Sequence, residues 1–212
     1  MNYIVIDLEY NQNFDFTTGA RAPSNPLLPL EIIQFGAIKL DKNLEIIDQF
    51  GTMVAPGLYR RLNPFVAKVT GFDNRTLRES PPFSVAYNGL LRFMGRGKGN
   101  VLCFWGNDDM KELLRNAIFY GQNPKFLPLN YINIQQLASV FFEHPPSQQM
   151  ALRTAVENLD IDASLPFHNA VNDAIYTAEV FKCIYDPENV KIIRFNLEKL
   201  IQNHAEIARN MV

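Results

Sequence analysis

Tyr3-Ile4-Val5-Ile6-Asp7-Leu8-Glu9 alternates in character and is rich in Ile and Val, so it reads as a β-strand. Residues two apart in a strand point to the same side, which sends Asp7 and Glu9 to one face and Ile6 and Leu8 to the other. Two acids side by side in so apolar a run repel each other unless they share a cation or stand in solvent at a sheet edge. Hard oxygen donors of this kind suit Mg²⁺ or Mn²⁺, and no Cys and His cluster has the spacing of a zinc site. His144 and His204 stand apart from any matching ligand pair and read as surface or packing residues.

Outward from that strand, residues 32–40 and 45–54 read as two more strands joined by the polar turn Asp41-Lys42-Asn43, an antiparallel start to a sheet. Residues 11–29, with Pro23, Pro26 and Pro29, lack periodicity and read as a long loop. After Pro81 and Pro82, the spacing of Phe83, Ala86, Tyr87, Leu90, Leu91 and Met94 predicts a helix stopped at Gly95. A short strand at 101–105, a helix at 109–120 closed by Gly121, and a fifth strand at 129–132 follow. Strands alternating with helices imply parallel additions to the sheet.

Further helices are expected at 134–142, 150–159, 169–185 and 190–211. In the last of these Val190, Ile193, Leu197, Leu200, His204, Ile207 and Met211 step by three and four. So narrow a seam can dock on its own domain or, as a homodimer, on a second copy; its own domain is the expectation.

A third acid comes from Trp105-Gly106-Asn107-Asp108-Asp109, at a strand-to-helix junction of the kind where open α/β sheets gather functional groups. Asn107 or Asp108 can cap the helix. Asp109 lies four residues before Leu113 and eight before Ala117, on the stripe expected to be buried, whereas Asp108 shares a face with Glu112 and is expected to meet water. Asp173 sits on a helix whose near face, Ala170, Ala174, Thr177, Ala178 and Phe181, is mostly small and allows close approach to the sheet. His168 falls in the loop before that helix, where a histidine serves equally as a cap or packing group.

A chain of 212 residues, 47% hydrophobic and 20% charged, supports one domain over residues 1–212, with 186–212 as a C-terminal amphipathic helix. The net charge of -2 argues against coating nucleic acid through bulk electrostatics, so a polyanion must be met locally. Arg60, Arg61, Lys68, Arg75 and Arg78 are a candidate track for phosphates. Cys103 and Cys183, each among apolar residues, read as buried free thiols of a reducing compartment. No signal-like N-terminus and no apolar run of about 20 residues is present, so the expectation is a cytoplasmic protein with no membrane partner.

Together these residues resemble the DEDDh family of 3′-to-5′ exonucleases. The resemblance is carried in order by Ile6-Asp7-Leu8-Glu9, Glu31-Ile32-Ile33-Gln34-Phe35-Gly36-Ala37, Val69-Thr70-Gly71-Phe72, Pro81-Pro82-Phe83, Trp105-Gly106-Asn107-Asp108-Asp109, and His168 with Asp173. The Trp-Gly form is similar to the branch of histone-mRNA 3′-end exonucleases and KapD-like proteins. The resemblance implies an α/β, RNase H-like fold: a central mixed sheet of five strands, three antiparallel and then parallel additions, with helices on both faces. It also implies that Asp7, Glu9, Asp109 and Asp173 hold two Mg²⁺ or Mn²⁺ ions, with His168 as general base. Tyr10, Thr70, Gly71 and Trp105 would surround the 3′-terminal nucleotide of single-stranded RNA or DNA, and nucleoside 5′-monophosphates would be released.

Two departures stand out: adjacent acids at Asp108 and Asp109, and the length of the loop at 11–29. Two rivals are a catalytically inactive nucleic-acid-binding module of the same fold and a metal-dependent phosphatase on small phosphoesters. The phosphatase needs an Asp-x-Asp nucleophile, where this chain has Asp7-Leu8-Glu9.

Overall fold

The computed structural model describes residues 1–95, 99–145 and 148–211. The opening strand runs over Asn2–Asn11 (β1), followed by a small ribbon, Phe14–Asp15 (β2) and Ala20–Arg21 (β3), and by Glu31–Leu40 (β4) and Ile46–Met53 (β5). Helices Pro64–Thr70 (α1), Asn74–Glu79 (α2) and Phe83–Met94 (α3) lead to Asn100–Phe104 (β6), Asp108–Phe119 (α4) and Asn130–Asn133 (β7). Ile134–Phe141 (α5), Leu152–Asn158 (α6), Ala170–Ile184 (α7), Ile193–Arg194 (β8) and Leu197–Asn210 (α8) complete the described order.

The main sheet has the order β5-β4-β1-β6-β7-β8. β5, β4 and β1 pair antiparallel, β6 and β7 join parallel, and β8 returns antiparallel. This is the expected mixed sheet with six strands in place of five. The extra strand comes from the stretch expected to be helical from residue 190: Ile193 pairs with Tyr131, Arg194 with Asn130, and Phe195 N donates to Leu129 O at 2.8 Å. The Asn196 side chain then accepts from Lys199 N and starts α8. Val190 and Ile193 therefore leave the seam, while Leu197 and Leu200 are buried in the chain's own core.

Alternation along β1 builds two cores. Ile4, Ile6 and Leu8 pack with α3 and α4 on one face, and Tyr3 and Val5 pack with α5, α6 and α7 on the other. Each fully buried Leu, Ile or Phe contributes roughly 1.5–3 kcal/mol, which fixes the facing of β1.

Other corrections are local. The loop at 11–29 contains the β2–β3 ribbon. Helices α1 and α2 stand where no helix was expected, although each carries a capping signal: Asn63 before Pro64, and Asp73 accepting from Arg75 N and Thr76 N. Cys103 is buried as expected, but Cys183 is exposed. Among the described residues, no helix is long and apolar enough to cross a membrane.

Candidate active site

The strand register positions the site. Asp7 lies opposite Gly36 and Glu9 opposite Gln34, on the face that receives α7. A Cβ on Gly36 would collide with the carbonyl of Ala170, and one on Gly51, next across the sheet, with the Val171 side chain. Two glycines on neighbouring strands thus form a shelf for the first turn of α7. The buried Gln34 side chain completes it by accepting from Ala170 N at 2.8 Å, satisfying a helix N–H that has no partner within its own helix. Asp173, one turn along, is thereby held over Asp7 and Glu9.

Glu9, His168 and Asp173 each offer a ligand atom within 4.8 Å of the others. Asp173 is 8% exposed. Its Oδ2 accepts from His168 N at 3.0 Å, while its buried Oδ1 has no hydrogen-bond partner. His168 is exposed and has a φ of 64°, a left-handed conformation uncommon outside glycine and one that clusters at functional sites.

Asp109 arrives from the other core, at the start of α4 just past the C-terminal end of β6. Its Oδ1 accepts the Tyr10 hydroxyl hydrogen at 2.7 Å, so Tyr10 is committed to positioning this acid. Asp108 points away, with its side chain 81% exposed and 2.7 Å from Lys111 Nζ. It makes no side-chain cap; Asn107 occupies the N-cap position. Glu112 departs from the expectation of a watery face: its side chain is 3% exposed, Oε1 lies 2.6 Å from Arg115 Nη1, and Oε2 has no hydrogen-bond partner.

Burial, joined by neighbouring acids at Asp7, Glu9 and Asp109, disfavours ionisation across the set. Burial, followed by the charges of Asp109, Asp173 and Glu9, raises Asp7 well above the ordinary carboxylate range. Glu9 is pushed up to about 8 by burial and then by Asp173 and Asp109. Asp109 is pushed up to about 7 by burial, against the pull of the Tyr10 hydrogen bond, with Asp108 and Glu112 adding repulsion. Asp173 is raised by burial and eased by the His168 N–H and by the charges of His168 and Arg153. Buried and half-buried acids held above their ordinary range, and an orphaned buried oxygen among them, fit a divalent cation that would neutralise the set.

The remaining candidates are less closely tied to these acids. Trp105 is half-buried against the second core and donates its indole N–H to Met150 O at 3.1 Å. Thr70 bonds within its own helix, Oγ1 to Val66 O at 2.8 Å, and Gly71 closes that helix with a φ of 73°. Among the described residues, no hydrogen bond joins Thr70 or Trp105 to the carboxylates. Gln34, Gly36, Gly51 and Asn11 are the supporting residues that the side-chain chemistry of the sequence did not single out. For Gln34 and Gly36 the signal was their place in the quoted Glu31 to Ala37 segment.

The fold and the gathered acids define a hydrolase of phosphodiester bonds on an RNase H-like fold. The family described as Exonuclease (RNase T) matches residues 4–181, and the chain belongs to it. A search among curated proteins found no match. Among solved structures, the nuclease domain of 3′hExo, a DEDDh family member bound to rAMP, is 22% identical with a TM-score of 0.75, over 92% of this chain and 97% of that one. A 3′-exonuclease with 3′-end specific recognition of a histone mRNA stem-loop is 21% identical with a TM-score of 0.76, over 92% and 68% of the two chains. The E. coli ExoI–ssDNA complex is 14% identical with a TM-score of 0.66, over 89% of this chain and 42% of that one.

Proposed function

We propose that the protein removes nucleotides from the 3′ end of single-stranded RNA or DNA and releases nucleoside 5′-monophosphates. The observation that carries this reading is the buried, unpartnered Oδ1 of Asp173 beside Glu9 and His168. An oxygen so placed loses hydration without gaining a hydrogen bond, a cost that a bound cation offsets. Asp7, Glu9, Asp109 and Asp173 are the ligands in this account, for two ions of Mg²⁺ or Mn²⁺. When bound, such ions acidify water and stabilise the leaving 3′ oxygen of an in-line displacement.

His168 takes the proton of the attacking water on its imidazole. Its left-handed backbone lets one residue do two things: the N–H anchors Asp173, and the ring comes within reach of the Glu9 and Asp173 oxygens. Tyr10 holds Asp109. The face of Trp105 stacks on the terminal base, and Gly71, with open space where a side chain would stand, admits the terminal sugar. Two of the similar structures hold rAMP or ssDNA, ligands of the chemistry this reading requires. Residues 1–212 act as one exonuclease domain, and a reducing cytoplasmic setting fits the free thiols of Cys103 and Cys183.

The test is incubation with single-stranded RNA and DNA labelled at the 5′ end, in Mg²⁺, in Mn²⁺ and in chelator. A ladder of shortening 5′-labelled products that chelator abolishes is expected. Intact strands beside rapid hydrolysis of a small phosphomonoester would favour the phosphatase instead.

A further inference from the structure

The segment between β1 and β4, longer than the resemblance expects, is built as a surface. Phe14 and Phe16 of the ribbon meet edge to face, with ring centroids 5.1 Å apart at 72°. The Arg61 guanidinium lies 3.7 Å over the Phe16 ring, and Phe16 remains 38% exposed. Phe65, four residues beyond Arg61 in the first turn of α1, is 66% exposed. Among the described residues neither Arg60 nor Arg61 is in an ion pair. A chain with a net charge of -2 thus keeps the Arg61 guanidinium, outside any ion pair among the described residues, on a partly exposed aromatic ring.

This surface is fastened to the strand that carries the acids. Asn11 ends β1 and is fully buried. Its side chain donates to Tyr59 O at 2.8 Å and to Arg61 O at 3.0 Å, and accepts from Asn63 N at 2.9 Å. The Tyr59 hydroxyl in turn accepts from Asn25 N and donates to Leu28 O, both at 2.8 Å. Glu31 accepts from the backbone N–H groups of Gly57, Leu58 and Tyr59. The Arg61 backbone is thus held against Asn11, two residues past Glu9 along β1.

We propose that Phe16 and Arg61 form a stacking platform for a nucleotide upstream of the 3′-terminal one. Arg61 also meets its phosphate, and the occupant is an unpaired strand. Ring faces bind bases only when those bases are unstacked, and a guanidinium adds attraction for both the base and the backbone. A duplex offers no free base face to such a surface. The inference rests on the nuclease reading for its substrate and adds a second subsite to it.

Binding of a fluorescent single strand about ten nucleotides long, within the span of such tracks, is measured by anisotropy in chelator, where no cleavage is expected. Phe16→Ala and Arg61→Ala should each weaken binding by about 5- to 140-fold, the range for losing one stacked base. Phe16→Trp should keep it, and melting curves confirm that the exposed substitutions leave the fold intact. Wild-type affinity in Phe16→Ala, equal weakness in Phe16→Trp, or no binding by the wild type would each overturn the platform. The two readings fail separately. A wild type that shortens no strand in Mg²⁺ yet loses binding with Phe16→Ala sinks the nuclease reading alone, and unchanged binding in a protein that does shorten strands sinks the platform alone.

Discussion

Asp108 and Asp109 are adjacent in the chain and meet different surroundings: one stands in water beside Lys111, the other accepts the Tyr10 hydroxyl in a half-buried cluster. Asp109→Asn should cut the cleavage rate by orders of magnitude without lowering the melting temperature, since it removes a repelled charge. Asp108→Asn should leave the rate nearly intact and cost at most ~1 kcal/mol, the worth of an exposed pair plus a first-turn charge. The reverse pattern in single-turnover rates would mean the wrong acid has been assigned. The Asp109 side was legible because its stripe, Leu113 and Ala117, is apolar. Glu112 was not legible: helical spacing sets it beside exposed Asp108, but residues 22–24 and 29–30 line the same cleft as Glu112 and Arg115, and Asn116 one turn on donates to Leu30 O, so the end of the long loop lies against this side of α4. No periodicity in one helix reports what another segment lays over it.

At the scale of elements, the site depends on how closely α7 approaches the sheet. The small face of α7 was readable, but the partner surface was not, because it is made of the absence of side chains at Gly36 and Gly51 and of one buried amide, Gln34. Gly36→Ala should force α7 outward, costing on the order of 1–3 kcal/mol as overpacking does, and should lower activity more than stability because Asp173 moves with the helix. Thermal melting together with the cleavage rate checks this; a variant with both unchanged would show that α7 is placed by other contacts. The C-terminal stretch departs from its periodicity for a related reason. Val190 and Ile193 fit a helical seam, yet Ile193 is spent on pairing with β7, and the Asn196 cap was the local signal that the helix begins later.

For the whole molecule, the proposed function has pH and a divalent metal acting on the same carboxylates. Glu9 at about 8 and Asp109 at about 7 lie above their ordinary values, and Asp7 and Asp173 are also raised, so the folded protein binds more protons than the unfolded chain. Stability of the metal-free protein should therefore fall as pH rises from the ordinary carboxylate range, about 4, toward 8. Mg²⁺ or Mn²⁺ should restore it, with a gain in melting temperature that grows across that window; a gain independent of pH would separate the metal from these acids. The mixed sheet and its order of elements were legible because β1, β4, α3 and α4 carry strong periodicities and stops. The sixth strand, only two residues long, is set by tertiary pairing and left no pattern to read.

In the proposed function Asp7, Glu9, Asp109, Asp173 and His168 act as one metal-dependent hydrolytic site. Its most direct test is the single-turnover shortening of a 5′-labelled single strand in Mg²⁺ by Asp7→Ala, an acid raised by all three of the others. A folded protein that shortens nothing at any Mg²⁺ concentration is expected. Near-normal shortening by that variant would contradict it.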